Sequence, residues 1–410
     1  MMNEISGSWN EDKKMNKPPL EGIKIIDLSA ALTGPFCTQL LGDFGAEIIK
    51  VEPPGKGDML RAFGPPYLKG ESPYFLLTNR NKRGITLDIT KEKGREILIR
   101  LAEDADVLIE NYRPSVKKKL KIDYDTLKAM NPRLIYCSIS GFGQTGPYAE
   151  RAGFDPIAQG MSGIASITGW KHTGPVRVGV AIGDSLGGIF ATYGILLAII
   201  ERQRSGEGQR VETSLLEGLI SVLGFQAAKF FATGERPEPL GNDHGMVSPY
   251  GTFKTKDGFI NIAAGNQGMW ERLAKALGLA ALIEDKRFRT VPDRVTNRAE
   301  LGKLLEEKLA EKKTKDWEEI LNGVGVANGP ILHLDEVFQD PQVLHQEMLI
   351  EMDHPTIGRI KNLGFPAKLS RTPGAVRLPP PLLGQHTEEI LKELGYSLGE
   401  IEGLRKEGII

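Results

Sequence analysis

Between residues 22 and 139, short apolar runs rich in β-branched residues alternate with stretches of helical period, and this alternation restricts the chain to few folds. Residues 22–29 (GIKIIDLS) read as a buried strand, 36–41 as a helix closed at Gly45, and 46–51 (AEIIKV) as the next strand. Strand, helix and strand at these lengths make a βαβ unit, whose two strands run parallel. The pattern repeats with a strand at 83–87, an amphipathic helix at 90–105, a strand at 106–110, a helix around 124–130 and a strand at 134–139. An α/β domain with a mostly parallel sheet and helices on its faces is expected.

The chain is 410 residues long, which calls for more than one compact unit. After Asp184 comes its most apolar stretch, GGIFATYGILLAII, read as a helix buried all round. A strand at 210–213 and a further helix at about 214–231 follow. From Ala232 the texture changes. Pro237, Pro239, Gly241 and Gly245 form a loop, then 250–254 and 259–263 read as a hairpin turning at Asp257-Gly258, with helices at 269–277 and 298–312. Order begins near Pro18, after a disordered tail at 1–17; a large domain then spans 18–231, a smaller α+β domain 232–335, and a C-terminal segment 336–410. Within that segment Thr387 opens one short helix, and Ser397 with Glu400 has the spacing of a capping box for another.

Lys and Arg number 52 against 53 Asp and Glu, so the basic excess of a nucleic-acid binder is missing. The longest apolar runs, such as 195–200, fall short of a membrane span, and the polar, mixed-charge start resembles no targeting segment. A soluble, cytoplasmic enzyme is expected. Two cysteines, Cys37 and Cys137, build no disulfide framework, and the six histidines have no metal-ligand spacing, so no metal is expected. Gly141-Phe142-Gly143-Gln144-Thr145-Gly146 matches a dinucleotide fingerprint and follows a strand. However, Pro147 stands where a helix must open, so it reads as a glycine loop beside some other site.

Asp184, in Gly183-Asp184-Ser185-Leu186-Gly187-Gly188, stands at the mouth of the apolar helix and admits two readings. It suits an N-cap. A partly desolvated carboxylate near backbone N–H groups is also a usable nucleophile, with Gly187 and Gly188 leaving room for a substrate. Arg80, Lys82, Arg83, Arg113, Lys117, Lys118 and Lys119 read either as solvated faces or as a phosphate-binding edge of such a cleft.

The segments 34–61, 79–88, 110–114 (ENYRP), 138–155 and 183–188 (GDSLGG), continued by 249–266, 329–355 and 382–395, resemble the class III coenzyme A transferases, or CaiB/BaiF-like proteins. The likeness covers nearly the whole chain from Pro18 and runs toward the glutarate succinyl-CoA transferase group, through 343–358 and PPPLLGQHT. It implies a large Rossmann-like domain, a small domain, a C-terminal segment returning to the large one, and two chains interlocked as a homodimer. It implies CoA exchange between an acyl-CoA (succinyl-CoA) and a carboxylic acid such as glutarate, with the CoA thioester as substrate and no cofactor, metal, nucleic acid or membrane partner. Asp184 takes the nucleophile's place and forms an aspartyl-CoA thioester. Asn111, Tyr112, Lys119, Asp155, Gly183 and His244 take substrate-binding places, with Lys119 toward the nucleotide phosphates. Pro53-Pro54 replace an arginine pair of the formyl-CoA relative, and Leu32 replaces its active-site glutamine, which argues against oxalate as acceptor. The family's racemases need a histidine base where Phe154 stands, so a transferase is favoured over a racemase or a CoA hydrolase. Arg80, Arg83 and Arg177 are candidates to hold a distal carboxylate.

Overall fold

The computed structural model describes residues 17–410; the tail expected at 1–17 lies, apart from Lys17, outside the described residues. In chain order the elements are β1 (Lys24–Asp27), α1 (Thr33–Asp43), β2 (Glu47–Glu52), α2 (Pro73–Thr78), β3 (Lys82–Thr86), α3 (Glu92–Glu103) and β4 (Val107–Glu110). Next come α4 (Pro114–Leu120), α5 (Tyr124–Lys128), β5 (Ile135–Ser140), α6 (Asp155–Met161), α7 (Ile164–Ile167), α8 (Ile182–Ser205), β6 (Arg210–Ser214), α9 (Leu215–Ser221) and α10 (Gly224–Thr233). The remainder is β7 (Tyr250–Lys254), β8 (Phe259–Ala263), α11 (Gln267–Ala276), α12 (Val291–Thr296), α13 (Arg298–Leu309), α14 (Thr314–Gly323), β9 (Ala327–Pro330), α15 (Leu334–Val337), α16 (Pro341–His345), β10 (Leu349–His354), β11 (Gly358–Leu363), α17 (Thr387–Glu393) and α18 (Leu398–Lys406).

These elements form two compact units. The first holds the described residues up to Ser162, Gly179–Gly224 and Leu344–Ile410; the second holds Gly163–Val178 and Phe225–Val343. Residues 163–178 therefore pack with the second unit, although they lie within the 18–231 span read from the sequence.

In the first unit six parallel strands stand in the order β3-β2-β1-β4-β5-β6. Ile25 and Ile26 are neighbours on β1, point to opposite faces and are both buried, because helices cover both sides. On one face α3, α5, α17 and α18 contribute Ile97, Leu98, Leu101, Leu127, Ile390, Leu391, Ile401 and Leu404 to the core. On the other face lie α1 and α8. The hairpin β10–β11, unforeseen from the sequence, also belongs to this unit.

Helix α8 differs from its expectation. It begins at Ile182, before Asp184, and one face is exposed rather than all of it buried. Gly187, Gly188, Ala191, Ile195 and Ala198 face inward, whereas Ile189, Tyr193, Leu197 and Ile200 face out. At 24 residues it is long and apolar enough to cross a membrane, unlike the short run read from the sequence; here it is a layer helix over β5 and β6. The single helix expected at 214–231 is two, α9 and α10, broken at Val222-Leu223. In the second unit β7, β8 and β9 form an antiparallel sheet against α11, α13 and α14, around Trp270, Phe288, Leu301, Leu305 and Trp317. The hairpin at 250–263 stands where the sequence places it; β9, with the sequence ANGP, carries no apolar alternation and takes its pairing from β8.

Candidate active site

Strand order reverses between β1 and β4, the point in such a sheet where the loops leaving two neighbouring strands diverge and ligands bind. Both loops are tied down here. The Asn111 amide, just after β4, donates to the Ala30 carbonyl (2.8 Å) and accepts the Ala30 N–H (3.1 Å). The next residue, Ala31, holds a left-handed φ of 66°, unfavourable for a residue with a Cβ, and its N–H bonds Asp58 Oδ1 at 3.0 Å. Asp58 is in turn paired with the buried Lys50 (2.8 Å).

Below this loop Asp27 on β1 accepts from Lys82 of β3 (3.2 Å), from the Thr38 hydroxyl (2.6 Å) and from the Ser29 N–H (3.0 Å) and hydroxyl. Burial works against the Asp27 charge, but Lys82 and Lys50 more than offset it and its carboxyl lies below the ordinary value. Burial also pulls the Lys82 ammonium down to about 8, against the attraction of Asp27. The charges carried by β1, β2 and β3 thus hold the backbone that leads into Thr33, the first residue of α1.

The Thr33 hydroxyl donates to Asp184 Oδ1 at 2.5 Å. Among the described residues it is the only donor to that carboxylate. Asp184 is the third residue of α8, and Ala181 holds the cap position, so the N-cap reading is corrected. The first turn of a 24-residue helix still favours a negative charge. Burial pushes the Asp184 carboxyl up to about 6; the Thr33 bond opposes that rise and the Asp155 charge adds to it.

Gly187 and Gly188 have a different task from the one expected. A Cβ on Gly187 would stand 2.8 Å from Thr33 Cγ2, and one on Gly188 2.8 Å from the Thr33 carbonyl oxygen. The room they leave is filled by α1, and that close approach lets Thr33 reach Asp184 one turn back along α8. Gly188→Ala is therefore expected to force the helices apart, with a loss of about 1–3 kcal/mol and of most exchange activity. A thermal melt and an activity assay on the same preparation check both effects.

Asp155 is buried at the start of α6. Its Oδ1 accepts the Gly183 N–H at 2.8 Å and its Oδ2 the Gln159 amide at 2.7 Å, so Asp155 supplies the cap that α8 lacks. The glycine loop sets its place: Gly141 packs so tightly on Gly153 that a Cβ would lie 2.6 Å from the Gly153 Cα. No helix opens at Gly146, which holds a positive φ. Tyr74 on α2, half-buried, completes the neighbourhood. Burial, then the Asp184 and Asp155 charges, raise its phenol above the ordinary value, and no sequence motif marks it.

The remaining candidates are dispersed. Tyr112 packs on the main core; burial, then Glu110, push its phenol up to about 12. Lys119 is exposed on α4, whereas its neighbour Lys117 is buried against Glu110 (2.8 Å) and Ser138. Arg80 is buried against Asp43, Asn362 and the Leu363 carbonyl, and Arg83 pairs with Glu47, Glu389 and Glu393; both guanidiniums are engaged within the fold. Arg177 and His244 belong to the second unit. The His244 ring lies between Phe225 and Tyr250, at 4.9 and 5.0 Å, and its Nδ1 accepts the Met246 N–H at 3.2 Å.

A family model described as CoA-transferase family III matches residues 20–387. The chain belongs to that family. It is 44% identical over 393 residues to the succinyl-CoA:glutarate CoA-transferase of Mus musculus, covering 96% of this chain and 90% of that protein. It is 40% identical to the succinate–glutarate CoA-transferase of Agrobacterium fabrum, over 93% and 97% of the two chains. A crystal structure of a CaiB/BaiF family protein from Brucella suis superposes with a TM-score of 0.83 at 41% identity, covering 92% of this chain and 100% of the other. As a class III CoA transferase the protein is an enzyme that transfers CoA.

Proposed function

We propose that this enzyme exchanges CoA between succinyl-CoA and a dicarboxylate of the glutarate class, with Asp184 carrying CoA between the two half-reactions. The observation that carries this reading is the Asp184 carboxylate itself: partly desolvated, held by one oxygen on Thr33, with no other donor among the described residues. The succinyl and glutaryl assignment rests on the names of the mouse and Agrobacterium relatives.

Asp184 Oδ2 attacks the thioester carbonyl, the C–S bond breaks and the CoA thiolate leaves with the electron pair, giving a mixed anhydride. The thiolate then attacks Asp184 Cγ and expels the first acid as its carboxylate, which leaves an aspartyl-CoA thioester. The acceptor carboxylate attacks that thioester, and the same two steps run in reverse. Four acyl transfers of similar energy replace one difficult exchange. Asn111, Tyr112, Asp155 and Gly183 set the walls of the site, and Lys119 takes the nucleotide phosphates as a point charge. The interlocked homodimer belongs to the same reading, and the outward apolar face of α8 (Ile189, Tyr193, Leu197, Ile200) supports a second copy as its cover.

The test is intact-protein mass after mixing with succinyl-CoA, followed by an acceptor screen. A CoA-sized adduct on the wild type, missing from Asp184→Ala and discharged by glutarate, is the expected result. Free CoA accumulating without an acceptor would point to hydrolysis instead. No adduct, with exchange unchanged in the variant, would remove Asp184 as nucleophile.

A further inference from the structure

We infer that Thr33 is a catalytic residue whose hydroxyl stays on Asp184 Oδ1 through the cycle and holds the oxyanion formed there each time the Asp184 carbonyl carbon is attacked. The inference rests on Asp184 as the nucleophile, and the experiment below separates the two. With Oδ1 bound to Thr33, the oxygen left to attack the thioester is Oδ2. In the mixed anhydride Oδ2 becomes the bridging atom and Oδ1 the carbonyl oxygen. When the CoA thiolate adds to Cγ, the C=O electron pair moves onto Oδ1. The tetrahedral adduct collapses by breaking Cγ–Oδ2, and the first acid departs with that oxygen and the electron pair. Attack by the acceptor on the aspartyl-CoA thioester places charge on Oδ1 again, and the thiolate leaves. In both steps the negative charge develops on the atom that already faces the Thr33 donor, with no reorganisation needed.

The donor is fixed from several directions. Thr33 is 4% exposed, its carbonyl side is packed on Gly188, and its methyl faces Gly187. The loop before it is pinned through Ala30 by Asn111 and through Ala31 by Asp58. The titratable groups that face the Asp184 carboxylate are Asp155 from α6 and Tyr74 from α2. The first adds negative charge and the second is neutral in the physiological range, so Thr33 is the side chain that favours the ionised form.

Thr33 has two branches with different tasks, so two substitutions separate chemistry from packing. Thr33→Val keeps the methyl against Gly187 and loses the hydroxyl; Thr33→Ser does the reverse. If the hydroxyl is catalytic, Val lowers kcat about 10²-fold with KM little changed. It also slows formation of the aspartyl-CoA adduct in a single turnover and moves the acid limb of kcat/KM to higher pH, while Ser restores all three. If Thr33 only fills space, Val is benign and Ser is the damaging change, which overturns the inference. Should Val not fold, Thr33→Ala against Thr33→Ser makes the same comparison: equal kcat in the two refutes a role for the hydroxyl. A wild type that gains no adduct dependent on Asp184 refutes the nucleophile itself, whatever the Thr33 series does.

Discussion

Replacing Asp184 by asparagine is expected to reduce CoA exchange by about 10⁴-fold or more and, at pH 7.5, to raise the melting temperature. The first effect follows from the proposed role of Asp184 as nucleophile. The second follows from where the carboxylate sits. Its pKa, ordinarily 3.8, is pushed up to about 6, first by burial, against the Thr33 bond and with the help of Asp155. The folded protein thus binds this proton more tightly than the unfolded chain does. That contribution is fully present below about pH 4 and is lost as pH rises through about 6; above that, an ionised Asp184 weighs against the fold. That rise in pKa corresponds to about 3 kcal/mol, and partial access to solvent reduces it to about 1–2 kcal/mol. Asparagine, neutral at every pH, keeps the Thr33 bond without that burden. Melts of both proteins across pH 4 to 8 check it: the gap should open between pH 4 and 6 and favour the variant by a few degrees. A variant melting at or below the wild type at pH 7.5 would show that the site does not strain its own carboxylate.

The other large effect is expected at a buried arginine whose guanidinium is engaged within the fold. Arg80 is 2% exposed, and its guanidinium is shared among three partners. Nε and Nη2 bind both oxygens of Asp43, at 2.8 and 2.6 Å, and Nη1 donates to the Leu363 carbonyl (2.7 Å) and to Asn362 Oδ1 (3.1 Å). It thereby fastens the hairpin β10–β11 to α1. Burial already raises the Asp43 carboxyl above its ordinary value in spite of this arginine. Arg80→Ala would leave a buried carboxylate without its main counter-charge and take one donor from the Leu363 carbonyl and one from Asn362 Oδ1, which keeps the Leu363 N–H, a loss of about 3–5 kcal/mol. We expect a melting temperature lower by about 6 °C or more, with early proteolysis near residues 349–363. Arg83→Ala, whose partners Glu389 and Glu393 are largely exposed, should lie within about 1 kcal/mol of the wild type. Were Arg80 a receptor for a distal carboxylate instead, its removal would raise the acceptor KM and leave the melt unchanged.

How much of this was legible in the sequence differs by kind of signal. Runs such as AEIIKV and DVLIE are so apolar and β-branched that β2 and β4 fall within a residue of their expected positions. The Ser397–Glu400 capping box is likewise formed as its spacing requires. These signals are local. Asp184 attracts attention as an acid beside an apolar helix, but the hydroxyl that holds it lies 151 positions away, on an element whose own pattern says only helix. The same separation hides why Gly187 and Gly188 are glycines, and why Asp155 faces the Gly183 N–H across 28 residues. Arg80 and Lys82 look like surface charge because counting charges does not reveal their buried partners, Asp43 and Asp27. Strand β9 is invisible for the opposite reason: its sequence has no preference, and β8 imposes one.

Strand β3 is one edge of the parallel sheet, and its outer side is closed by residues made much later. The Gly84 N–H donates to His386 Nδ1 (3.0 Å), the Thr86 N–H to the Thr387 hydroxyl (3.0 Å), and the His386 N–H returns to the Gly84 carbonyl (2.9 Å), across some 300 positions. During synthesis on the ribosome, the sheet-forming residues have therefore emerged long before the residues that cap their edge. In that interval an unpaired strand is free to join a neighbouring nascent chain. A chain interrupted before residue 386 keeps that edge for good, and its failure would show as aggregation rather than as weakened catalysis.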